Sequence, residues 1–231
     1  MVGLGAVIDG EMIDRDFFLG QFTFSDTTSN VKDGSLKFAM FDVGWSYSPT
    51  GGVKLGFFAG YHYWYEKVTA CGLVCNQASI LGCTFPGEVQ VGFDTAVLAY
   101  QPTWHAARIG FIGQIALTER LSFSAEIAGI PYASVQNKDS HLLRQSFADL
   151  GPAPNVIANS RYAVGGEAEL MLNYAVTPNI EIGVGGRYWG LTARRGEVLF
   201  GAAFNSFNNN SSLSRFDQQR YGVLLQAKGK F

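Results

Sequence analysis

The sequence predicts an all-β chain folded as an antiparallel, up-and-down transmembrane β-barrel, and three observations carry that prediction. Apolar and polar residues alternate with a period of two over long runs. Charged residues make up only 16% of the 231 residues, while aromatics reach 14% and glycines number 28. Short turns alternate along the chain with long polar connections, the pattern of a barrel that crosses a bilayer. Soluble domains carry about 25% charged residues, so this chain is poor in charge. Intrinsic disorder is excluded, because disordered chains lack aromatics and are rich in charge. No stretch approaches the ~18 uncharged apolar residues of a spanning helix, which excludes a helical membrane protein. With 17 basic and 19 acidic residues the chain is near neutral. Charge therefore makes no case for a nucleic-acid partner.

The strands follow in order. A first is expected at 2–9 and a second at 34–48, with a change of phase near Met40 that predicts a β-bulge. Over 53–66, Val53, Leu55, Phe57, Tyr61, Tyr63 and Tyr65 oppose Lys54, His62 and Glu66. A strand at 95–117 comes next. Over 121–136, Leu121, Phe123, Ala125, Ile127 and Val135 oppose Ser122, Ser124, Glu126, Ser134 and Gln136. The clearest run is 161–176: Tyr162, Val164, Ala168, Leu170, Leu172, Tyr174 and Val176 share one face, with Arg161, Glu167, Glu169 and Asn173 on the other. Next, Ile180, Ile182, Val184 and Tyr188 oppose Glu181 and Arg187. The last strand, 217–231, alternates Tyr221, Val223 and Leu225 with Gln226, Lys228 and Lys230 and ends in Phe231. One face suits lipid and the other water. This makes about eight strands in one domain spanning 1–231, most of them longer than the ~6 residues usual in soluble sheets and long enough to cross a bilayer at a tilt.

Ser48–Gly52, Thr118–Arg120 and Thr177–Asn179 read as tight turns at one end. Residues 10–33, 67–93, 137–160 and 196–216 read as long loops at the other, the outward-facing end in such barrels. Glu126, Glu167, Glu169, Glu181, Arg187, Lys228 and Lys230 point into the lumen, where opposite charges pair. A barrel of about eight strands has room inside only for its own side chains, which argues against a diffusion pore and places chemistry at the rim. Cys71, Cys75 and Cys83 allow one internal disulfide, Cys75–Cys83 or Cys71–Cys83, and lack a fourth ligand for zinc. No cofactor is implied. Met1–Gly5 lacks the basic start and apolar core of a secretory signal. The expectation is a mature form, a fragment or a start placed too late.

Two short patterns carry chemistry. Glu11-Met-Ile-Asp-Arg-Asp-Phe17 holds Asp14 and Asp16 as D-x-D, and Asn137-Lys-Asp-Ser-His141 holds Asp139 and His141 as D-x-H. In extended chain, residues i and i+2 project to the same side, so each pair converges on one point. Both pairs lie at the long-loop end. His141 would take a proton from water, with Asp139 orienting and stabilising the charged ring. Asp14 and Asp16, too close to ionise independently, would hold the water or the scissile carbonyl. Read singly, the first pair also suits a turn or calcium contact and the second a solvated loop. Strict alternation from Phe123 turns Asp139 and His141 toward lipid, so a bulge at or above Gly129-Ile-Pro131 has to rephase the strand.

These segments resemble the omptins, bacterial outer-membrane endopeptidases. Glu11-Met-Ile-Asp-Arg-Asp16 looks like the segment carrying their paired aspartates, and Asp139-Ser-His141 looks like their catalytic Asp-x-His. The likeness continues through Phe41-Asp-Val43, Lys54-Leu-Gly-Phe-Phe-Ala-Gly-Tyr61, Ile109-Gly-Phe-Ile-Gly113, Tyr174-Ala-Val-Thr-Pro-Asn179 and the closing Phe231. The resemblance implies an aspartic-type endopeptidase with Asp14, Asp16, Asp139 and His141 as catalytic residues. It puts Asp26 where omptins hold an acidic substrate contact. The implied partners are a peptide or protein substrate and outer-membrane lipid, lipopolysaccharide included, with the site facing outward. Three departures stand out. Omptins have ten strands and this chain matches from their third. Asn137 replaces an aspartate that favours basic side chains, so that preference should weaken. Tyr61 is kept, but Tyr63, Tyr65 and Thr103 replace charged lipopolysaccharide contacts. The alternative function is a non-enzymatic structural or adhesive barrel on the same scaffold.

Overall fold

The structure, a computed structural model, describes residues 1–7, 9–18, 22–49, 51–79, 83–147, 149–201 and 210–229. Among these there is no helix. The chain runs through β1 (Val2–Val7), β2 (Gly10–Phe18), β3 (Phe22–Tyr47), β4 (Val53–Cys75) and β5 (Val89–Ala116). It continues through β6 (Leu121–His141), β7 (Val156–Thr177) and β8 (Ile180–Ala193), and ends with β9 (Glu197–Phe200), β10 (Asn210–Ser212) and β11 (Phe216–Gly229). All eleven join one sheet, whose main path is β1-β3-β4-β5-β6-β7-β8-β11. Each neighbouring pair is antiparallel. The expected up-and-down order is therefore present. β1 and β2 lie end to end along one edge of β3, against 34–39 and 22–31 respectively. The β9–β10 hairpin extends the edge of β7 past the end of β8. β1 and β11 are the ends of the path and are not paired with each other, so the sheet is not closed by backbone bonds.

Strands β3 to β7 are 21 to 28 residues long, about twice the ~9–11 that a bilayer requires. Their upper halves project beyond the lipid, and this corrects the expected loops. Segment 10–33 is β2 and the start of β3, not a loop; 67–93 shrinks to 76–88, and 137–160 to 142–155. Segment 196–216 contains β9 and β10. In the projecting halves, register shifts between Thr28 and Asp33 and between Ala70 and Val74 interrupt the period, so hydropathy stops alternating cleanly although the strands continue. The tight turns after β5 and β7 are as expected. The expected terminal signal at Phe231 lies outside the described residues, as does Lys230.

The expected bulge at Met40 is absent. The β3–β4 register runs unshifted from Gly34 to Tyr47, and its shifts lie instead between Thr28 and Asp33. What changes at Met40 is the chemistry of the two faces. Leu36, Phe38 and Met40 pack inward, whereas Phe41, Val43, Trp45 and Tyr47 point out. Phe111 at 69% and Ile127 at 63% exposure belong to the same outer belt. An apolar belt this continuous suits hydrocarbon and not water.

The sheet curls around one interior, and inward side chains from distant strands meet there in layers. His62 Nδ1 of β4 lies 2.5 Å from Glu167 Oε1 of β7. The fully buried Arg108 of β5 reaches Glu167 at 3.1 Å, Asp42 at 3.6 Å and also Glu126. Arg187 pairs with Glu169 at 2.9 Å. Lys228 stands 3.6 Å from Glu181. The expected lumenal pairing is thus present, with Arg108 as its unforeseen centre. Two residues above His62, Trp64 stacks on Trp189 at 4.7 Å, and Trp104 meets Trp189 edge-on. Two residues higher again, Glu66 binds Arg220 of β11 and accepts from Gln218 Nε2 at 2.9 Å. These layers fill the interior below the outer rim.

Removing Arg108 takes a cationic partner from the buried Glu167, which keeps only His62, and from the less buried Glu126 and Asp42. A buried ion pair broken on one side loses about 3–5 kcal/mol. Arg108→Ala is expected to lower the denaturant midpoint of the β-sheet signal. Adding Glu167→Gln should recover part of the loss, as an equilibrium unfolding series would read out.

Candidate active site

Residues Gly129–Tyr132 of β6 carry the rephasing that the D-x-H pair requires. Ile109 pairs with Gly129 but Ala107 with Tyr132, so two steps on β5 face three on β6. Ile130 and Ala133 show the same mismatch against Gly165 and Ala163 of β7. Below the bulge Ala128 and Ile130 are buried; above it Ala133, Val135 and Asn137 are. One inserted residue thus moves the odd positions onto the lumenal face, and Asp139 and His141 with them.

β2 brings the acids from the other side. Asp14 pairs with Thr27 and Met12 with Ser29, and both Thr27 and Ser29 are buried. Asp14 Oδ2 lies 3.8 Å from His141 Nε2. This exceeds a direct hydrogen bond and matches the gap that one water bridges with bonds of ~2.8 Å to each side. Asp16 sits in β2 opposite Ser25, with no register shift from position 14, so both positions stand on one face. The Asp16 side chain lies outside the described residues. Asp14 lines two adjoining cavities, one shared with Asp139 and the other with His141.

Asp26 is not brought to this group. It pairs with Arg15, on the opposite face of the β2–β3 ladder from Asp14. Its carboxylate accepts from Arg15 Nε at 2.9 Å and from Asn76 Nδ2 at 2.6 Å. The Asn76 amide and the Arg15 guanidinium hold that carboxyl below its ordinary range. Asp26 is therefore committed to tying β2, β3 and the connection after β4 together. That connection is closed by the Cys75–Cys83 disulfide, leaving Cys71 free.

Two supporting residues were not foreseen. Asn155, 1% exposed, clasps the end of β6: its Oδ1 accepts from the His141 amide at 2.8 Å and its Nδ2 donates to the His141 carbonyl at 3.1 Å. Its own amide donates to the Asp139 carbonyl at 3.0 Å. Both members of the D-x-H pair are thus fixed by one side chain and its backbone. The only sequence signal was an asparagine after Pro154 in an otherwise apolar stretch. Tyr100 faces Asp139 across the β5–β6 ladder and stacks on Phe216. Burial pushes its hydroxyl pKa up, with the Asp139 and Glu66 carboxylates adding to the shift, so it stays protonated beside them. His141 Nδ1 is buried and makes no hydrogen bond among the described residues. No cluster among the described residues is arranged to hold a metal.

No protein-family model matches the sequence, and no curated protein does. The fold does have a counterpart. The crystal structure of the outer membrane protease OmpT from Escherichia coli matches with a TM-score of 0.67, over 98% of this chain and 74% of that one. Only 14% of the aligned residues are identical, a likeness that speaks for architecture. The chain has the all-β, antiparallel, up-and-down architecture of an outer-membrane barrel.

Proposed function

We propose that this chain is an outer-membrane endopeptidase that hydrolyses peptide bonds with a water held between Asp14 and His141. The observation that carries the reading is the 3.8 Å separation of Asp14 Oδ2 and His141 Nε2, two groups delivered to one rim by β2 and β6. The apolar outer belt supports a bacterial outer-membrane location. The tight turns lie at the end opposite the site, which supports a site facing outside.

Water bridging the pair gives up a proton to His141 Nε2 as its oxygen attacks the scissile carbonyl. The resulting imidazolium lies in the field of Asp14 and Asp139, which lowers the cost of its charge. The carbon–nitrogen bond then breaks as His141 returns its proton to the leaving amine, releasing a carboxylic acid and an amine. No covalent intermediate and no bound cofactor takes part in this route. Peptides or unfolded protein segments are the substrates, and membrane lipid surrounds the belt.

Asp14→Ala and His141→Ala are each expected to lower cleavage of unstructured peptides by at least about a hundredfold, the usual worth of a general base. The heat-resistant β-sheet spectrum should be unchanged. Equal activity in wild type and both variants would leave the non-enzymatic barrel as the better reading. Asn155→Ala removes the clasp on β6 and should lower kcat/KM by about ten- to a hundredfold while peptide binding changes little, because a displacement near 1 Å costs that much. Steady-state kinetics on one quenched-fluorescence peptide separates the two effects.

A further inference from the structure

The two cavities that meet at Asp14 are chemically unlike. The one on the Asp139 side, about 370 Å³, is polar and includes Glu11, Asp139, Asp217 and Arg220. The one on the His141 side, about 210 Å³, is lined mainly by Met12, Leu73, Val97, Leu98 and Leu143, together with the buried Thr27 and Ser29. It sits on a buried apolar cluster of Val31, Val68, Ala70, Val97 and Leu98. The one basic side chain at its mouth, Arg144, is engaged by Asp149 through bonds of 3.0 and 2.8 Å. Asp14 and His141 form its polar end.

We propose that the site takes an apolar side chain on one side of the scissile bond, held in the cavity between β2, β4, β5 and Leu143. This rests on the endopeptidase reading of Asp14 and His141. A volume of 210 Å³ equals about seven waters and accommodates one aliphatic or aromatic side chain. A lysine or arginine there loses its hydration and meets only Asp14, a carboxylate already committed to the water. A leucine or phenylalanine instead buries its surface against walls of its own kind. The cleft across Asp14 mixes Met12, Ile13 and Leu98 with Glu11, Asp139, Asp217 and Arg220. Burying an apolar side chain there also desolvates charge, so the preference falls on the other side and the pair flanking the bond is asymmetric.

The test is a cleavage-site profile. The full chain, refolded in detergent micelles, digests a library of unstructured peptides, and mass spectrometry maps the cuts. Leucine, methionine or phenylalanine should concentrate at one flanking position, always the same one. Leu143→Asp places a charge at the exposed lip of the cavity and should lower kcat/KM for a leucine-bearing peptide about tenfold, with relative cleavage of the lysine-bearing analogue rising. Leu73→Ala enlarges the cavity and should move the preference toward phenylalanine. Cuts confined to paired basic residues, or a profile unmoved by both substitutions, overturn the inference and leave the endopeptidase reading intact. A folded wild-type protein that cuts nothing overturns both.

Discussion

In hydrocarbon an unpaired backbone amide is costly, and the demand for a partner in an adjacent strand organises the ladders from β3 to β8. It enforces long uninterrupted ladders, and ladders enforce alternation. Alternation then sorts Phe111 and Ile127 to one side of the wall and Arg108 and Glu167 to the other. The inner face cannot be left as bare charge. Arg108 gathers Glu167, Glu126 and Asp42, Arg187 takes Glu169, and three tryptophans close the interior above them. The interior is therefore solid below the rim, and the strands continue past it only because their amides still pair.

That overshoot makes a site possible. Asp14 and His141 sit on the projecting parts of β2 and β6, above the Glu66–Arg220 layer and clear of the lipid belt. They are held by strands and by the Asn155 clasp, not by free loops, so their separation is a property of the sheet register. Rigid support of this kind is what a water-activating pair needs, since its chemistry depends on tenths of an ångström.

Much of this was legible in the sequence. The period-two runs at 53–66 and 161–176 identify wall strands because one face must be apolar, and the lumenal acids follow from the same parity. The rephasing at Gly129–Tyr132 was forced by a conflict between alternation and chemistry, and the register contains it. The apparent bulge at Met40 was a false signal of the same type: Leu36 and Phe38 pack inward on the tryptophan layer and Met40 inward on Arg108 and Arg187, so hydropathy changed phase while the backbone did not. The loops were overdrawn because the register shifts at Thr28–Asp33 and Ala70–Val74 interrupt the hydropathic period while the strands continue. Arg108, Asn155 and the Arg15–Asp26–Asn76 tie depend on contacts between distant strands, which a linear pattern does not encode.

The additional residue at Gly129–Tyr132 also bears on how the proposed site could be lost. Deleting a single codon there flips the parity of everything up to His141, turning an intact histidine and aspartate to the outside of the wall, away from Asp14. Every motif would survive an alignment, and the wall would still be a wall. For this architecture, catalytic competence is arithmetic modulo two: inventories of retained residues say less about descent into silence than the count of positions between a proline and an imidazole.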